Sequence, residues 1–314
     1  IRSRSNSLMF ISGSADASGT DFGVYVEHPQ FESVKKVDKT RIASYTDGTL
    51  EYTIQAAVPK VGTDVIDAID SFSIEDLLDN RLKDVEVKGV YTTDSEDANP
   101  GVAEWTKLLG TQYTIDTSGN RLKVDINKRL LGYKQFKVVF VVKTQSHDLM
   151  ADTSIINNQA ISHSDDVPSK SNVVRTQPTL MYDHEFKSED GSELPQDVKT
   201  LTPSSTEDIT PGTTVTPNLF TVPETFKPNA TYNGYDAGKV QVKDDAKNGV
   251  WSFKSWDKAN ETLDHKNGHF IGTWAFTPNA YAQTYKYVMS DGSAVPAEVN
   301  ATLPARVGDL VDGT

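Results

Sequence analysis

Cysteine is absent from this 314-residue chain, which excludes disulfides, thiolate zinc sites and cysteine nucleophiles in one step. The same absence suits a secreted stalk or a cytosolic protein, so it assigns no compartment. No run approaches the roughly 20 consecutive apolar residues that a membrane-spanning helix requires, and the chain reads as soluble. Basic residues are the minority, 31 Lys and Arg against 44 Asp and Glu, for a net charge of −13. Binding to nucleic acid or anionic lipid begins with neutralisation by cations, so neither partner is expected. The chain opens on Ile1 without a charged and then apolar leader, and no targeting segment is visible. Catalytic motifs are missing too. The six histidines (His28, His147, His163, His184, His265 and His269) are scattered and fall in no metal or nucleophile pattern. Residues 94–99 offer alternating oxygens but lack the Gly and terminal Glu of a calcium loop, and read as a solvated acidic loop. No metal, no cofactor and no turnover chemistry are expected.

What the chain does contain is repetition. Residues 183–213 reappear without a gap at 284–314, displaced by 101 positions (284 − 183). The shared skeleton of Asp190, Gly191, Ser192, Pro195, Val198, Pro203, Asp208, Gly212 and Thr213 returns as Asp291, Gly292, Ser293, Pro296, Val299, Pro304, Asp309, Gly313 and Thr314. A fixed period marks units built alike along a line, an arrangement suited to reach rather than turnover. The length exceeds what one core serves, and suggests two complete domains with fragments at the ends.

Strand signals dominate, with no helical period sustained over a dozen residues, so the fold class is mainly β. The expected organisation is the end of a preceding unit over 1–26, with the apolar run 8–11, then an immunoglobulin-like antiparallel β-sandwich over 27–176. A β-rich repeat with minor α content follows over 177–279, and a truncated second copy over 280–314. In the sandwich, 50–58, 85–91, 121–126, 135–143, 155–162 and 172–175 read as strands, with a turn at 116–120. Residues 73–80 are expected to form a short helical turn started by Ser73. In the repeat, Leu180, Tyr182, His184 and Phe186 share one face, as do Trp251, Phe253 and Ser255, and later Phe270, Gly272, Trp274 and Phe276.

One constellation in the sandwich stands out: Lys35 beside Lys36 on the first strand, Asp76 after an apolar approach, and Asn158 on a late strand. Alternation puts Phe31, Ser33, Lys35 and Val37 on one face, and Ile156, Asn158 and Ala160 on one face. Lys35 and Asn158 then point inward while Lys36 and Asn157 point outward. The bland alternative has Lys35 snorkelling to solvent, Asp76 capping a turn and Asn158 satisfying a strand edge. Glu75 replaces Asp76 if the local chain is one residue out of phase.

The segments Lys35, Lys36, Val37, Asp38, then Leu50, Glu51, Tyr52, Thr53, Ile54, then Ile74, Glu75, Asp76, Leu77, Leu78, and finally Asn158, Gln159, Ala160 resemble the isopeptide-forming, Cna-A-like domains of Gram-positive pilins and cell-wall adhesins. The resemblance covers about 150 residues and implies a spontaneous amide between Lys35 and Asn158, with Asp76 as acid and base of a single turnover. Residues 249–257 and 270–276 look like the signature strands of SHIRT domains (Streptococcal High Identity Repeats in Tandem), and Asp190 to Pro195 and Gly212 to Val215 also suit that family. Ser255 departs from the Gly usual before the second Trp, and 217–245 is longer than usual, so the loop geometry there is open. This second resemblance implies a rod-like, monomeric stalk of an extracellular, wall-anchored protein that presents a host protein or glycan partner at its tip. The aromatic ladder reads as core, with Tyr232, Tyr235 and Trp256 as the exposed candidates for a ligand platform. The competing function is a binding module whose end loops, 94–101 and 145–154, hold a host protein or glycan.

Overall fold

A computed structural model describes residues 33–58, 69–165, 167–221, 231–232, 240–279 and 289–300. The expected strand at 8–11, Phe31, His28, Tyr235, Pro304, Asp309, Gly313 and Thr314 lie outside the described residues, as does the side chain of Tyr232. The protein is mainly β, and it divides into two compact units, one built mainly from residues up to Leu180 and one from Met181 onward.

The first unit is an antiparallel sandwich of two five-stranded sheets. One contains β1 (Ser33–Val37), β3 (Gly48–Ala57), β9 (Gln135–Thr144), β5 (Leu82–Thr93) and β6 (Thr106–Lys107); β2 (Arg41–Ala43) lies outside it. The other runs β12 (Val167–Lys170), β11 (Ala160–Ser164), β4 (Phe72–Leu77), β8 (Arg121–Ile126) and β7 (Tyr113–Asp116). Two-residue alternation builds the space between them. Leu50, Tyr52, Ile54 and Ala56 of β3, Phe136, Val138, Phe140 and Val142 of β9, and Leu122, Val124 and Ile126 of β8 are all buried. The β7–β8 hairpin turns as its sequence demands, with Gly119 and Asn120 at positive φ.

The helical turn expected from Ser73 is corrected by β4. Phe72, Ile74 and Asp76 alternate inward, and the strand is paired along both edges, with β8 on one side and β11 on the other. Its backbone groups are satisfied by neighbours in the sheet, so Ser73 has no helix to cap. The single strand expected at 155–162 is instead β10 (Ile156–Asn158) and β11, broken at Gln159. Here the chain changes sheets, since β10 pairs with the start of β13 (Val174–Ser188) and β11 with β4. Gln159 Nε2 donates to the Ser171 carbonyl (2.6 Å) and the Ala160 amide to Ser171 Oγ (3.0 Å), fixing the crossing.

In the second unit, residues 182–188 of β13 pair in parallel with β21 (Gly268–Pro278), which pairs antiparallel with β19 (Gly249–Trp256), followed by β18 (Gln241–Asp244). Tyr182, His184 and Phe186 share the buried face with Phe253, Phe270 and Trp274; His184 stacks on Phe270 at 5.8 Å, and the other rings meet edge-on or tilted at 5.4 to 6.0 Å between centroids. One expectation fails at the end of β19. A bulge between Phe253 and Ser255 shifts the alternation by one residue, so Ser255 is exposed and Trp256 is 6% exposed, packed on His184, Phe186 and Phe253. Trp256 is therefore core and not a ligand platform. Gly249 admits the ring of Phe276: a Cβ there would lie 2.3 Å from Phe276 Cζ and 2.5 Å from the Thr277 carbonyl oxygen. Because backbone cannot swing aside, Gly249→Ala is expected to lower stability by about 1–3 kcal/mol, read as an earlier denaturant midpoint.

The sequence repeat has a structural counterpart among the described residues. Gly191 and Gly292, 101 positions apart, both hold positive φ, and each is preceded by an aspartate whose Oδ1 accepts the amide of the following serine, at 2.9 and 3.0 Å. The short helices α2 (Gln196–Lys199) and α3 (Ala297–Asn300) keep the same displacement. A turn that requires αL is set locally by Asp-Gly-Ser, so it forms alike in both copies.

Candidate functional site

Sheet register decides which side chains meet inside the sandwich. Lys35 opposes Ile54, so it shares the inward face of β1, at 1% exposure, while Lys36 is exposed. Asp76 occupies the inward position of β4 that Phe72 and Ile74 occupy before it, and is fully buried. Asn158 is 2% exposed at the end of β10, and Asn157 faces solvent. Glu75 points to the other side, toward Arg121 (3.4 Å) and His163 (3.6 Å).

Lys35 Nζ donates to Asp76 Oδ2. Above the amine lie the rings of Tyr52, 4.6 Å from Nζ to centroid, and Phe140, 5.7 Å. Asp76 Oδ1, both polar atoms of Asn158 and the Tyr52 hydroxyl are buried and make no hydrogen bond. Four unpaired polar atoms, one of them in the buried ion pair itself, are costly, and such concentrations mark sites of function more often than of stability.

Burial is the largest influence on both ionisable groups and drives each toward its neutral form. It lowers Lys35 to about 8 against the opposing pull of Asp76, and it raises Asp76 against the pull of Lys35 and the Asn158 carboxamide. The single proton of this pair therefore sits where either an ammonium and carboxylate or an amine and carboxylic acid are accessible. The latter form places a nucleophile and an acid beside an amide.

Two residues that the sequence did not single out complete the site. Asn172 clamps β1 from the side, accepting the Lys35 amide at Oδ1 (2.8 Å) and donating from Nδ2 to the Lys35 carbonyl (3.0 Å). Tyr52 stood inside a recognised strand motif, but nothing in the motif says what its hydroxyl faces.

The remaining candidates lie elsewhere. In the 94–101 loop the carbonyls of Ser95 and Asp97 accept from Gln135 Nε2, that of Ala98 accepts from Gln55 Nε2, and Glu96 pairs with Lys134. Among the described residues no three His, Asp or Glu side chains gather as a metal site. Residues 146–151 form α1 (Ser146–Ala151), anchored by Ser146 N–H to Asp47 Oδ1 (2.8 Å).

Two histidines of the second unit titrate in opposite senses. His269 on β21 lies between Asp183 (Nδ1 to Oδ1, 2.6 Å) and Glu185 (Nε2 to Oε2, 3.3 Å), which hold its pKa above 6.5, with Lys187 as the neighbouring cation on Glu185. A raised folded pKa stabilises fully below the unfolded value and is lost as pH rises through the folded one. His184 is buried among aromatic rings, its Nε2 accepting from the Asn218 amide (2.9 Å); burial lowers its pKa, so its share is lost as pH falls below 6.5. His269→Asn is expected to remove only the first of these. Thermal unfolding from about pH 5 to 8 should show the variant's deficit at the acid end, shrinking toward the alkaline end and in high salt.

Comparison with known proteins matches residues 30–177 to the Sgo0707 N2 domain family and residues 180–277 to the SHIRT domain family. Among solved structures, the N-terminal domain of the Streptococcus gordonii adhesin Sgo0707 is 21% identical, covering 47% of this chain and 32% of that one, with a TM-score of 0.39. The chain thus spans about a third of that structure's length. Streptococcal SHIRT domains 3-4 from a cell surface protein are 37% identical over 43% of this chain and 72% of theirs (TM-score 0.29). The full-length major pilin SpaD from Corynebacterium diphtheriae is 15% identical over 79% of this chain and 66% of its own (TM-score 0.41). No curated protein matches. No helix among the described residues is long and apolar enough to cross a membrane. With 37% identity over most of a solved SHIRT pair and a family match on each side of residue 178, the chain belongs to the SHIRT family and carries, ahead of that repeat, a domain matching Sgo0707 N2.

Proposed function

We propose that this chain is a mechanical segment of an extracellular, wall-anchored Gram-positive surface protein, with a sandwich locked by a Lys35–Asn158 amide and a SHIRT unit as spacer. The observation that carries the reading is the buried Lys35–Asp76 pair, with Asp76 opposing Ala160 two positions after a buried Asn158 carboxamide that no hydrogen bond engages. In the neutral form of the pair, the Lys35 amine attacks the Asn158 side-chain carbonyl carbon, and its C–Nδ2 bond breaks. Asp76 gives its proton to the departing nitrogen and takes one back from the attacking nitrogen. One amine and one primary amide become one secondary amide and one ammonia, and Asp76 ends as it began. Desolvation supplies the driving asymmetry, because the interior disfavours the ammonium that water would protect.

The bond would close a loop over the 123 positions between Lys35 and Asn158 (158 − 35). In the chain-entropy account such a loop stabilises by about 4–5 kcal/mol. Tension entering before β1 and leaving after β10 would run through the amide and bypass the strands between them. Such a lock serves a monomeric spacer that presents a partner, a host protein or glycan, through other parts of the full protein. Intact mass spectrometry tests the reading: the protein should be lighter than its sequence by one ammonia, with Lys35 and Asn158 recovered in one branched peptide. A full sequence mass would overturn it.

A further inference from the structure

Tyr52 carries a polar atom that packing does not explain. Its ring stacks on Phe140 at 5.4 Å and covers the Lys35 amine, which a phenylalanine would do equally well. Its hydroxyl is buried without a hydrogen bond, a penalty phenylalanine would avoid. Burial pushes its pKa well up, keeping it a donor. The amine under its ring bonds Asp76, which opposes Ala160 two positions after Asn158, and Asn158 Oδ1 is buried there without a donor.

We infer that the Tyr52 hydroxyl is the second hydrogen-bond donor to Asn158 Oδ1 while the amide forms, sharing with Asp76 the negative charge that gathers on that oxygen. The inference rests on the cross-linking reading above. Asp76 cannot serve alone, because once its proton has gone to the departing nitrogen it is a carboxylate and donates nothing. Tyr52 keeps its own proton throughout, so the balance of the reaction is unchanged. A fixed donor in a buried site acts where charge develops and needs no reorganisation, and removing one such donor typically slows acyl transfer by about 10²–10³-fold. With Asp76 still present, Tyr52→Phe should slow cross-linking by roughly 10- to 100-fold.

The rate is accessible in chains made in a short cell-free pulse, chased at a series of pH values, quenched and weighed intact. Tyr52→Phe should lower the plateau rate at least about tenfold while leaving the pH midpoints, set by Lys35 and Asp76, where they are in wild type. A rate within about twofold of wild type would overturn the role of Tyr52 and leave the cross-link standing. Moved midpoints would show that Tyr52 acts on the Lys35 environment, which also overturns it. The fold is checked where no bond can form: if Tyr52→Phe lowers the melting temperature of Lys35→Ala, lost packing explains the slowing and the inference fails. Wild-type chains that never lose ammonia would defeat the cross-link reading itself, and this inference with it.

Discussion

Asp76→Ala is expected to abolish the amide, so that the variant weighs what its sequence predicts. The side chain's removal leaves Lys35 buried with desolvation unopposed, which lowers its pKa further and supplies more neutral amine rather than less. A buried nucleophile would therefore remain, and failure to react would isolate the missing acid. Asp76→Asn makes the same test with the shape retained, because a carboxamide can donate a hydrogen bond but cannot shuttle a proton. Both variants should lose the loop contribution of about 4–5 kcal/mol and melt well below wild type. Lys35→Ala is the matched control, since it lacks the nucleophile and must show the full mass. Complete cross-linking in Asp76→Asn would remove Asp76 from the mechanism.

Trp251→Ala is expected to cost the second unit about 3–5 kcal/mol, through the cavity left by a fully buried indole. The loss is compounded at Asp244, whose Oδ2 accepts the indole N–H (2.9 Å) and would be left in a buried position without it. Phe276 at 5.2 Å and the Lys247 amine at 5.2 Å also lose the ring they pack on. Trp251→Phe separates these effects, retaining most of the volume and losing only the donor, for about 1–3 kcal/mol. Since the chain has two units, an overall transition shows a loss of stability without assigning it to one of them. Hydrogen exchange of the β18, β19 and β21 amides is the suitable measurement, and unchanged protection in Trp251→Ala would refute a stabilising role for this buried indole.

Much of this architecture was legible because strand alternation is a local code. Phe270, Gly272 and Trp274 share a face wherever β21 sits, and Lys35 and Asn158 face inward once their strands are phased by apolar neighbours. The failures are equally specific. Ser73 looked like a helix cap because Ser-x-x-Asp is a capping pattern in isolation, and only pairing with β8 and β11 makes β4 a strand. Trp256 looked exposed because a bulge is an insertion in pairing, which has no signature in the bulged strand alone.

The sequence by itself determined the class of the fold, the 101-residue repeat with its Asp-Gly-Ser turn, and which residue types lie inward, because each depends on neighbours within a few positions. Tertiary structure alone decided that Lys35 touches Asp76, that the chain crosses between sheets at Gln159 beside Asn158, and that the Tyr52 ring covers the Lys35 amine. These groups lie up to 123 positions apart (158 − 35) on strands of different sheets. Their meeting depends on sheet order and register, and so does the burial that shifts their proton equilibria.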